Sequence, residues 1–365
     1  MKLIYKKNKN NKTIKNFVFK KHIFNNSNKK ENLIITNFSE FGVETLACLY
    51  SIPLLSKIHS NFKTIVVGWS GREYLYRHIA DEFWELDEEF YYLKDYSNAF
   101  KNDSKDIIKL EEELKKLGKL IPTSFLGNFF VAKICKNCLN VWMDETFVCK
   151  SCNSKNISLP LLETLDKTIA VDVPLPKERG IKVPENSVAI FARNRKTYGR
   201  NLPKEFYLKL NSSLRENGFN PIYLGENSSS LNMPDCIDFS SMPCAKELDF
   251  TLEVLSKVKF SIQFWTASTR LSAITKTPFI LVESPNQVAH QTQELQRIAL
   301  TSDFDKKKII VCHYVDFLKE QEEGINLINQ AIKEIKENNW NHIIGMVKDK
   351  EILHSIIKNN NLEKW

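Results

Sequence analysis

The sequence predicts an α/β protein with two Rossmann-like domains and a small zinc-ribbon insertion. Short apolar runs alternate with helical stretches in both halves of the 365-residue chain, and this alternation is typical of parallel sheets covered by helices. A segment rich in proline separates the two halves and marks the boundary between them. Two Cys-x-x-Cys pairs lie close together in the first half and predict the ribbon.

The domain boundaries follow from changes in composition along the chain, and two domains are the expected number at this length. The segments are a basic Asn/Lys-rich leader at 1–30, an N-terminal domain at 31–172 with the ribbon at about 131–156, a linker at 173–184, a C-terminal domain at 185–345 and a C-terminal helix at 346–365.

The leader carries the net charge of the chain. Residues 1–30 contain ten lysines and no acidic residue, so the net charge of +8 comes from them and the rest is near neutral. We interpret the leader as an arm with one edge strand near 16–19, which could touch a nucleic acid or a membrane surface. The sequence contains no apolar run of membrane-spanning length and no secretory signal at its start. We therefore expect a cytoplasmic protein.

The first half opens with a βαβ unit. Apolar runs at 32–37 and 63–69 predict strands, and apolar residues at helical spacing over 45–62 predict the helix between them. A parallel sheet is expected for such a unit. Residues 70–85 predict a further helix, and 107–120 an amphipathic helix rich in Glu and Lys.

The second half repeats this alternation. Apolar runs predict strands at 188–192, 220–224, 259–264, 279–283 and 308–315. Periodic stretches between them predict helices at 205–217, 248–258 and 270–275. The first helix follows a proline, which favours a helix start, and ends at a glycine.

The strand at Val188–Ala192 changes abruptly into basic residues. It is followed by Arg193, Arg195, Lys196 and Arg200. In an open α/β sheet, ligands bind at the carboxyl ends of the strands, and four cations at such an edge suit an anionic ligand such as a diphosphate. A solvated basic loop is the alternative interpretation.

A second ligand-binding edge is predicted where the strand at 259–264 ends in a hydroxyl-rich turn. Thr266, Ser268 and Thr269 can cap the helix that begins near Arg270, and the free N–H groups of that helix can hold a phosphate. Simple N-capping is the alternative for each residue. Because both edges belong to the second half, their combination favours a phosphate site.

The most specific local pattern is a pair of cysteine knuckles. Cys135, Cys138, Cys149 and Cys152 form two Cys-x-x-Cys motifs with ten residues between them. This spacing can close a tetrahedral tetrathiolate zinc site. Four thiolates fill the coordination sphere, so we expect a structural zinc and no catalytic metal. A redox-active cysteine pair is the alternative.

Taken together, these pieces resemble the GT-B glycosyltransferases, in particular the heptosyltransferase-like group, glycosyltransferase family 9. The resemblance lies in Arg200–Glu205 (RNLPKE), in Trp265–Val282 (WTASTRLSAITKTPFILV) and in the strand, glycine turn and helix of Leu33–Phe62. It implies a nucleotide-diphosphate sugar bound to the second domain, with the acceptor, a glycan or another hydroxyl compound, facing the first.

The resemblance also implies roles for single residues. Enzymes of this kind that use no metal neutralise the leaving diphosphate with Arg, Lys and a helix N-terminus, and a carboxylate of the first domain takes the proton of the acceptor hydroxyl. The family places an Asp just after the glycine of the first turn. Here Val43 follows Gly42, and we expect Glu44 or Glu40 to act instead. Glu283 is expected to bind a ribose hydroxyl.

A further departure concerns the Asp-Thr-Gly-x-x-His turn of the family. Here the turn is Trp265-Thr266-Ala267-Ser268-Thr269-Arg270. The threonine is kept, whereas the family's Asp is absent and Arg270 stands in the place of its histidine.

Two other functions stay open at this point. One is a non-catalytic protein that binds nucleic acid through the zinc ribbon and the basic leader. Such binding needs a continuous basic face, which the near-neutral body does not supply, so nucleic acid is not an expected partner. The other is a sugar-nucleotide epimerase with the same GT-B fold.

Overall fold

The computed structural model shows two α/β units, Met1–Val173 and Pro174–Trp365. No helix in the described part of the chain is both long and apolar enough to cross a membrane. The structure describes residues 11–14, 17–39, 44–45, 51–87, 89–90, 104–124, 133–135, 137, 141–142, 148–158, 174–175, 178–194, 201–233, 235–242, 248–264, 268–283, 309–313, 321–338 and 343–345.

The first unit is built on a six-stranded sheet with the order β1-β2-β5-β4-β3-β6. Its strands are β1 (Asn11–Ile14), β2 (Phe17–Ile23), β3 (Asn32–Asn37), β4 (Lys63–Trp69), β5 (Glu82–Leu86) and β6 (Lys119–Ile121). β3 to β6 run parallel to one another. β2 runs antiparallel to β5, and β1 antiparallel to β2.

Two helices, α1 (Ile52–Ile58) and α2 (Lys105–Leu114), belong to this unit. α2 begins at Ser104, whose hydroxyl accepts a hydrogen bond from the backbone of Ile107 at 3.2 Å. Its apolar face, including Leu110 and Leu114, packs in one core with Ile34 of β3. The parallel strands β3, β4 and β5 are buried over nearly their whole length, as is typical of parallel sheets that are covered on both faces.

The leader differs from the expected arm, because its two strands are part of the sheet. Phe19 of β2 is fully buried in the core. The basic residues of β2 face acidic residues of β5: Lys20 Nζ is 3.9 Å from Glu85 Oε2, and Lys21 Nζ is 3.8 Å from Glu82 Oε2. Composition alone could not show this, because the compensating acids lie far away in sequence.

The helix predicted over 70–85 is wrong. The chain forms a 3-10 turn at Glu73–Leu75 and then the strand β5. The sequence of β5, EFWEL, is rich in aromatic residues, and β2 and β4 hydrogen-bond to its two edges. Hydrogen bonding to a strand on each side therefore makes this segment a strand, although its sequence predicted a helix.

A small sheet stands apart from the larger one in the first unit. It consists of β7 (Lys133–Cys135), β8 (Val141–Trp142) and β9 (Ile157–Ser158). β7 lies in the centre and pairs antiparallel with both neighbours. Cys135 is the last residue of β7, and Cys149 and Cys152 lie in the segment between β8 and β9.

The second unit is a seven-stranded parallel sheet with the order β12-β11-β10-β13-β14-β15-β16. Its strands are β10 (Ser187–Ile190), β11 (Asn220–Tyr223), β12 (Ile237–Asp238), β13 (Phe260–Gln263), β14 (Phe279–Glu283), β15 (Ile309–His313) and β16 (Ile343–Gly345). Its helices are α3 (Lys204–Glu216), α4 (Leu248–Lys257), α5 (Ser268–Ile274) and α6 (Gln321–Lys336).

Both sheets have the strand order of a Rossmann-like fold. From β10, the first strand of the second unit, the chain builds outward to β12 and then returns to place β13 on the other side of β10. From β3, the first unit likewise builds outward to β5 and then places β6 beside β3. This reversal defines doubly wound sheets. The predicted fold class of two Rossmann-like units is confirmed. The predicted C-terminal helix at 346–365 lies outside the described residues.

The segment before β10 is attached to the second unit through Glu253 of α4. This carboxylate is 2% exposed and accepts hydrogen bonds from the backbone of Arg179 at 2.9 Å and of Ile181 at 3.2 Å. Lys257 adds an ion pair at 2.8 Å. The backbone N–H groups of this segment and the Lys257 ammonium thus compensate the charge of the buried carboxylate.

His59, just after α1, is a buried histidine. Its side chain is 0% exposed, and neither ring nitrogen makes a hydrogen bond with any residue that the structure describes. The ring packs edge-on against Phe62, with the ring centroids 5.5 Å apart. Burial, assisted by the positive charge of Lys119, lowers the pKa of His59 from 6.5 to about 4. The imidazole is therefore neutral in the folded protein at pH 7.

We expect the stability of the first unit to fall as the pH decreases from 6.5 to about 4. The unfolded chain takes up a proton at His59 near pH 6.5, whereas the folded chain does so only near 4, so the contribution is complete above this window and is lost within it. The loss is about 3 kcal/mol. Urea unfolding between pH 7.5 and 4 measures it. His59→Leu should show a flatter pH dependence, and an identical dependence in both proteins would contradict the assignment.

Candidate functional site

The carboxyl ends of β10 and β13 lie side by side near the centre of the second sheet. The two strands pair in parallel, from Val188 opposite Phe260 to Ile190 opposite Ile262. The strand order reverses between them, so the connections after β10 and β13 run to opposite faces of the sheet. A crevice outside the strand ends at such a reversal is where open α/β sheets bind ligands.

Arg193 follows β10 at this edge. Its backbone pairs with Ser230 in the loop after β11, and next to this bridge Leu231 N–H donates to the carbonyl of Ala192 at 2.8 Å. Gly225 makes the approach of this loop possible: its φ is +132°, and a Cβ at this position would lie 2.3 Å from Ser230 Oγ. These contacts hold the backbone from which the half-buried Arg193 side chain extends.

A buried polar cluster lies at the end of β13. Gln263, the last residue of the strand, is 0% exposed, and its Nε2 donates to Ser261 Oγ and to Ser272 Oγ, at 2.8 Å each. Its Oε1 accepts a hydrogen bond from Ser268, the first residue of α5. The strand end and the helix start are thus held together. The sequence analysis missed Gln263, although an amide in an apolar strand was a signal for such a role.

Thr269 and Arg270 lie in the first turn of α5. The Thr269 side chain is 1% exposed, and its hydroxyl makes no hydrogen bond within the described chain. A buried polar group without a partner costs about 1–3 kcal/mol, so this hydroxyl is available to a ligand. Arg270 is also buried and brings a guanidinium group to the same turn.

Glu283 is the one remaining predicted ligand of the second unit that lies among the described residues. Glu283 is the last residue of β14, and its backbone therefore reaches the same carboxyl edge as β10 and β13. Several predicted site residues of the chain lie outside the described residues: Arg195, Lys196, Arg200, Thr266, Glu40 and Cys138.

In the first unit, Glu44 lies in a buried cluster near the end of β3. It is 0% exposed. The Tyr76 hydroxyl donates to Glu44 Oε1 at 2.8 Å, and Arg72 Nε is 3.5 Å from Glu44 Oε2. Asn37, the last residue of β3, donates its Nδ2 to the Tyr76 oxygen at 3.1 Å. The carboxylate is thus held in one position beside the strand end.

This cluster includes two residues that the sequence analysis missed. Arg72 and Tyr76 belong to the segment predicted as a helix, where neither had a signal for a role at the β3 edge. Buried partners of opposite charge compensate each other's desolvation, so Arg72 and Glu44 depend on each other. A base must contact the hydroxyl that it deprotonates, so Glu44 can act only on an acceptor that reaches this buried position.

A second polar cluster lies where β3 and β6 meet, at the strand reversal of the first sheet. Glu111 of α2 accepts hydrogen bonds from Thr36 Oγ1 at 2.5 Å and from the backbone of Thr123 at 3.0 Å. Thr123 Oγ1 in turn accepts a hydrogen bond from the backbone of Phe38 at 3.1 Å. Both threonines are buried and Glu111 is half-buried. This carboxylate connects α2 to both strand ends and was not predicted.

Three of the four predicted zinc ligands lie together, one on β7 and two in the segment before β9. The Sγ atoms of Cys135, Cys149 and Cys152 are all within 4.8 Å of one another, and those of Cys135 and Cys152 are 3.5 Å apart. The first two side chains are buried and the third is exposed. Three thiols at these distances could hold a metal ion.

No protein-family model matches the chain, and no curated protein matches its sequence. Among solved structures, it is similar to the E. coli heptosyltransferase WaaC with ADP, with 13% identity, 84% of this chain and 99% of that chain covered, and a TM-score of 0.46. It is also similar to a family 9 glycosyl transferase from Veillonella parvula DSM 2008, with 11% identity, 94% and 99% covered, and a TM-score of 0.46.

A third similar structure is the E. coli ADP-heptose lps heptosyltransferase II, with 9% identity, 84% of this chain and 99% of that chain covered, and a TM-score of 0.46. These proteins belong to the class of enzymes that the sequence resembles. The function proposed next is argued from the residues of this chain.

Proposed function

We propose that this chain is a glycosyltransferase that moves a sugar from a nucleotide-diphosphate sugar to an acceptor hydroxyl without a catalytic metal. The observation that carries the proposal is the polar edge at the β10–β13 reversal. Two arginines, Arg193 and Arg270, follow the ends of these neighbouring strands, together with the Thr269 hydroxyl, which has no hydrogen-bond partner in the described chain. Such groups suit a diphosphate.

The proposed chemistry breaks the bond between the anomeric carbon and a diphosphate oxygen. Negative charge grows on the leaving diphosphate while the sugar becomes oxocarbenium-like. Guanidinium and hydroxyl donors stabilise that charge most strongly where water is excluded. We assign this role to Arg193, Thr269 and Arg270. The predicted ligands outside the described residues, which would complete the site, are Arg195, Lys196, Arg200 and Thr266, and Glu283 would bind the ribose.

Thr269→Val tests the donor site. The change removes the hydroxyl at nearly constant shape, so the dissociation constant for the matching nucleoside diphosphate should rise roughly tenfold, which is the usual scale of one hydrogen bond. The fold should keep its stability, because the hydroxyl has no partner in the described chain. Calorimetry with ADP, GDP, UDP and CDP measures the affinities. Arg200→Ala should weaken binding by about 1.5–3 kcal/mol.

Thr277→Val is the matched control, because it makes the same chemical change just before β14, at the opposite edge of the parallel sheet. It should leave nucleotide affinity unchanged. If the wild-type protein binds none of the four nucleotides, or if Thr269→Val and Arg200→Ala bind as tightly as the wild type, the proposed donor site is wrong.

We place the acceptor-activating base in the first unit, at Glu44 or Glu40. The support for Glu44 is positional: it lies at the carboxyl end of β3, and Tyr76 and Arg72 hold its carboxylate in place. Open α/β sheets present their ligands at this end of the strands. Glu40, which lies outside the described residues, stands four positions before Glu44 in the sequence.

Glu44→Gln and Glu40→Gln distinguish the two carboxylates. Loss of the base should lower turnover roughly 100-fold or more while donor affinity stays the same. Glu44→Gln also removes the negative charge 3.5 Å from Arg72 Nε, so we expect about 3 kcal/mol less stability, and turnover must be measured well below the unfolding temperature of the variant. Tyr76→Phe controls for this structural effect, because it weakens the cluster but keeps the carboxylate. Near-normal turnover in both glutamine variants would exclude a base in this turn.

We further propose that the small sheet holds one structural zinc. The three clustered thiols fit a tetrahedral site, and Cys138, at the matching position of the first knuckle, supplies the fourth ligand. Four thiolates leave no open position for a substrate. Reduced thiols suit a reducing compartment, in line with a cytoplasmic location.

Elemental analysis should find about one zinc per chain in freshly purified, reduced protein. Cys149→Ser should lose most of that metal, whereas Cys236→Ser, a cysteine of the second unit, should keep it. Chelation should lower the unfolding temperature, because the zinc stabilises the folded state. It should leave nucleotide affinity unchanged, because a structural zinc takes no part in binding the donor. Protein without metal would refute the proposal, and iron in place of zinc would refute the identity of the ion.

A further inference from the structure

A mixed imidazole and carboxylate cluster in the first unit belongs to none of the sites above. His22 of β2, Glu73 of the 3-10 turn and Glu85 of β5 each offer a ligand atom, and these atoms all lie within 4.8 Å of one another. His22 Nε2 is 2.5 Å from Glu85 Oε2. The three residues come from three separate segments of the chain.

The second oxygen of Glu85 is fixed from the other side. Ser70, the residue after β4, donates its hydroxyl to Glu85 Oε1 at 2.6 Å. A hydrogen bond of this kind orients a carboxylate in the way that outer partners orient metal ligands. The Glu85 side chain is 11% exposed and that of His22 is 19% exposed, so the pair lies largely away from bulk water.

The charges of this cluster favour a divalent cation. Two carboxylates within this distance repel each other, and one imidazole can compensate at most one of them. Lys20 Nζ, 3.9 Å from Glu85, belongs to a side chain that is 64% exposed and can turn into water. A divalent ion would compensate both Glu73 and Glu85 at once.

We propose that His22, Glu73 and Glu85 form a binding site for a divalent first-row transition metal ion. One imidazole nitrogen and two carboxylate oxygens suit Mn²⁺, Fe²⁺ or Zn²⁺, whereas Mg²⁺ and Ca²⁺ prefer oxygen ligands alone. Ligand atoms about 2.0–2.2 Å from such an ion lie about 3 Å apart. The His22–Glu85 pair therefore opens by about half an ångström on binding, and Glu73 closes on the ion.

The ion would fasten the leader to the sheet. Its ligands join β2, the turn after β4 and β5, so it cross-links a strand of the basic leader to the parallel part of the first unit. A ligand that binds only the folded state raises stability. The site differs from the cysteine cluster in donor atoms, and this difference makes the two sites separable by experiment.

Manganese is the appropriate probe, because it favours nitrogen and oxygen ligands over thiolates. The full-length protein, with its cysteines saturated with zinc, is titrated with Mn²⁺, and the electron paramagnetic resonance signal of free Mn²⁺ reports binding. We expect one site, and an increase in the unfolding temperature on adding Mn²⁺. His22→Gln and Glu73→Gln should each raise the dissociation constant at least tenfold and abolish the thermal shift. Glu31→Gln, an exposed carboxylate before β3, should behave as the wild type.

Glu73→Gln keeps the test decisive if His22→Gln fails to fold, because the Glu73 side chain makes no hydrogen bond or ion pair among the described residues. Equal Mn²⁺ affinity in the wild type and in Glu73→Gln would overturn the proposal. Absence of saturable binding below millimolar Mn²⁺ would also overturn it, and the cluster would then be a hydrogen bond between His22 and Glu85.

Discussion

The parallel pairing of β10 with β13 is the interaction on which the candidate site depends. It places the end of the first strand of the second unit beside a strand that comes much later in the chain. Adjacent strands lie about 4.8 Å apart, so Arg193 and the start of α5 extend from neighbouring positions. If β13 had joined the sheet beside β12, two strands would separate these groups. The strand reversal thus creates the site, and the side chains determine its chemistry.

The buried polar groups around this reversal differ in whether they have a hydrogen-bond partner. Gln263, Ser261, Ser268 and Ser272 satisfy one another by hydrogen bonds and are buried. Thr269 is equally buried but its hydroxyl has no partner in the described chain. Buried polar groups are nearly always paired in folded proteins, and this exception beside a paired cluster is the basis of the ligand role that we propose for Thr269. In the clusters around Glu44 and Glu111, hydrogen bonds likewise connect buried groups near the end of β3.

The distribution of charge in the folded protein differs from its distribution along the sequence. The leader has ten lysines and no acid among its 30 residues, yet Lys20 and Lys21 lie against the carboxylates of Glu85 and Glu82. Part of its positive charge is therefore compensated inside the sheet. The same pairing buries Phe19 and brings His22 to Glu85, so a segment of biased composition becomes a structural strand.

The sequence by itself determined the features that depend on neighbouring residues. The apolar runs of β3, β4, β10 and β13 predicted buried strands, because a strand covered on both faces must be apolar throughout. The spacing of the cysteines predicted their cluster, and the sequence also predicted that Arg193 and the Ser268–Arg270 turn follow strand ends. These are local properties of short segments.

Only the tertiary structure decided the features that depend on distant partners. β5 was predicted as a helix because its preference for a strand arises from β2 and β4 on its two edges. The contacts of Glu44 with Arg72 and Tyr76, of Gln263 with Ser272, and of Glu85 with His22 join segments whose sequences carry no sign of one another. A buried polar group needs one particular partner at hydrogen-bond distance, and only the folded chain brings that partner within reach.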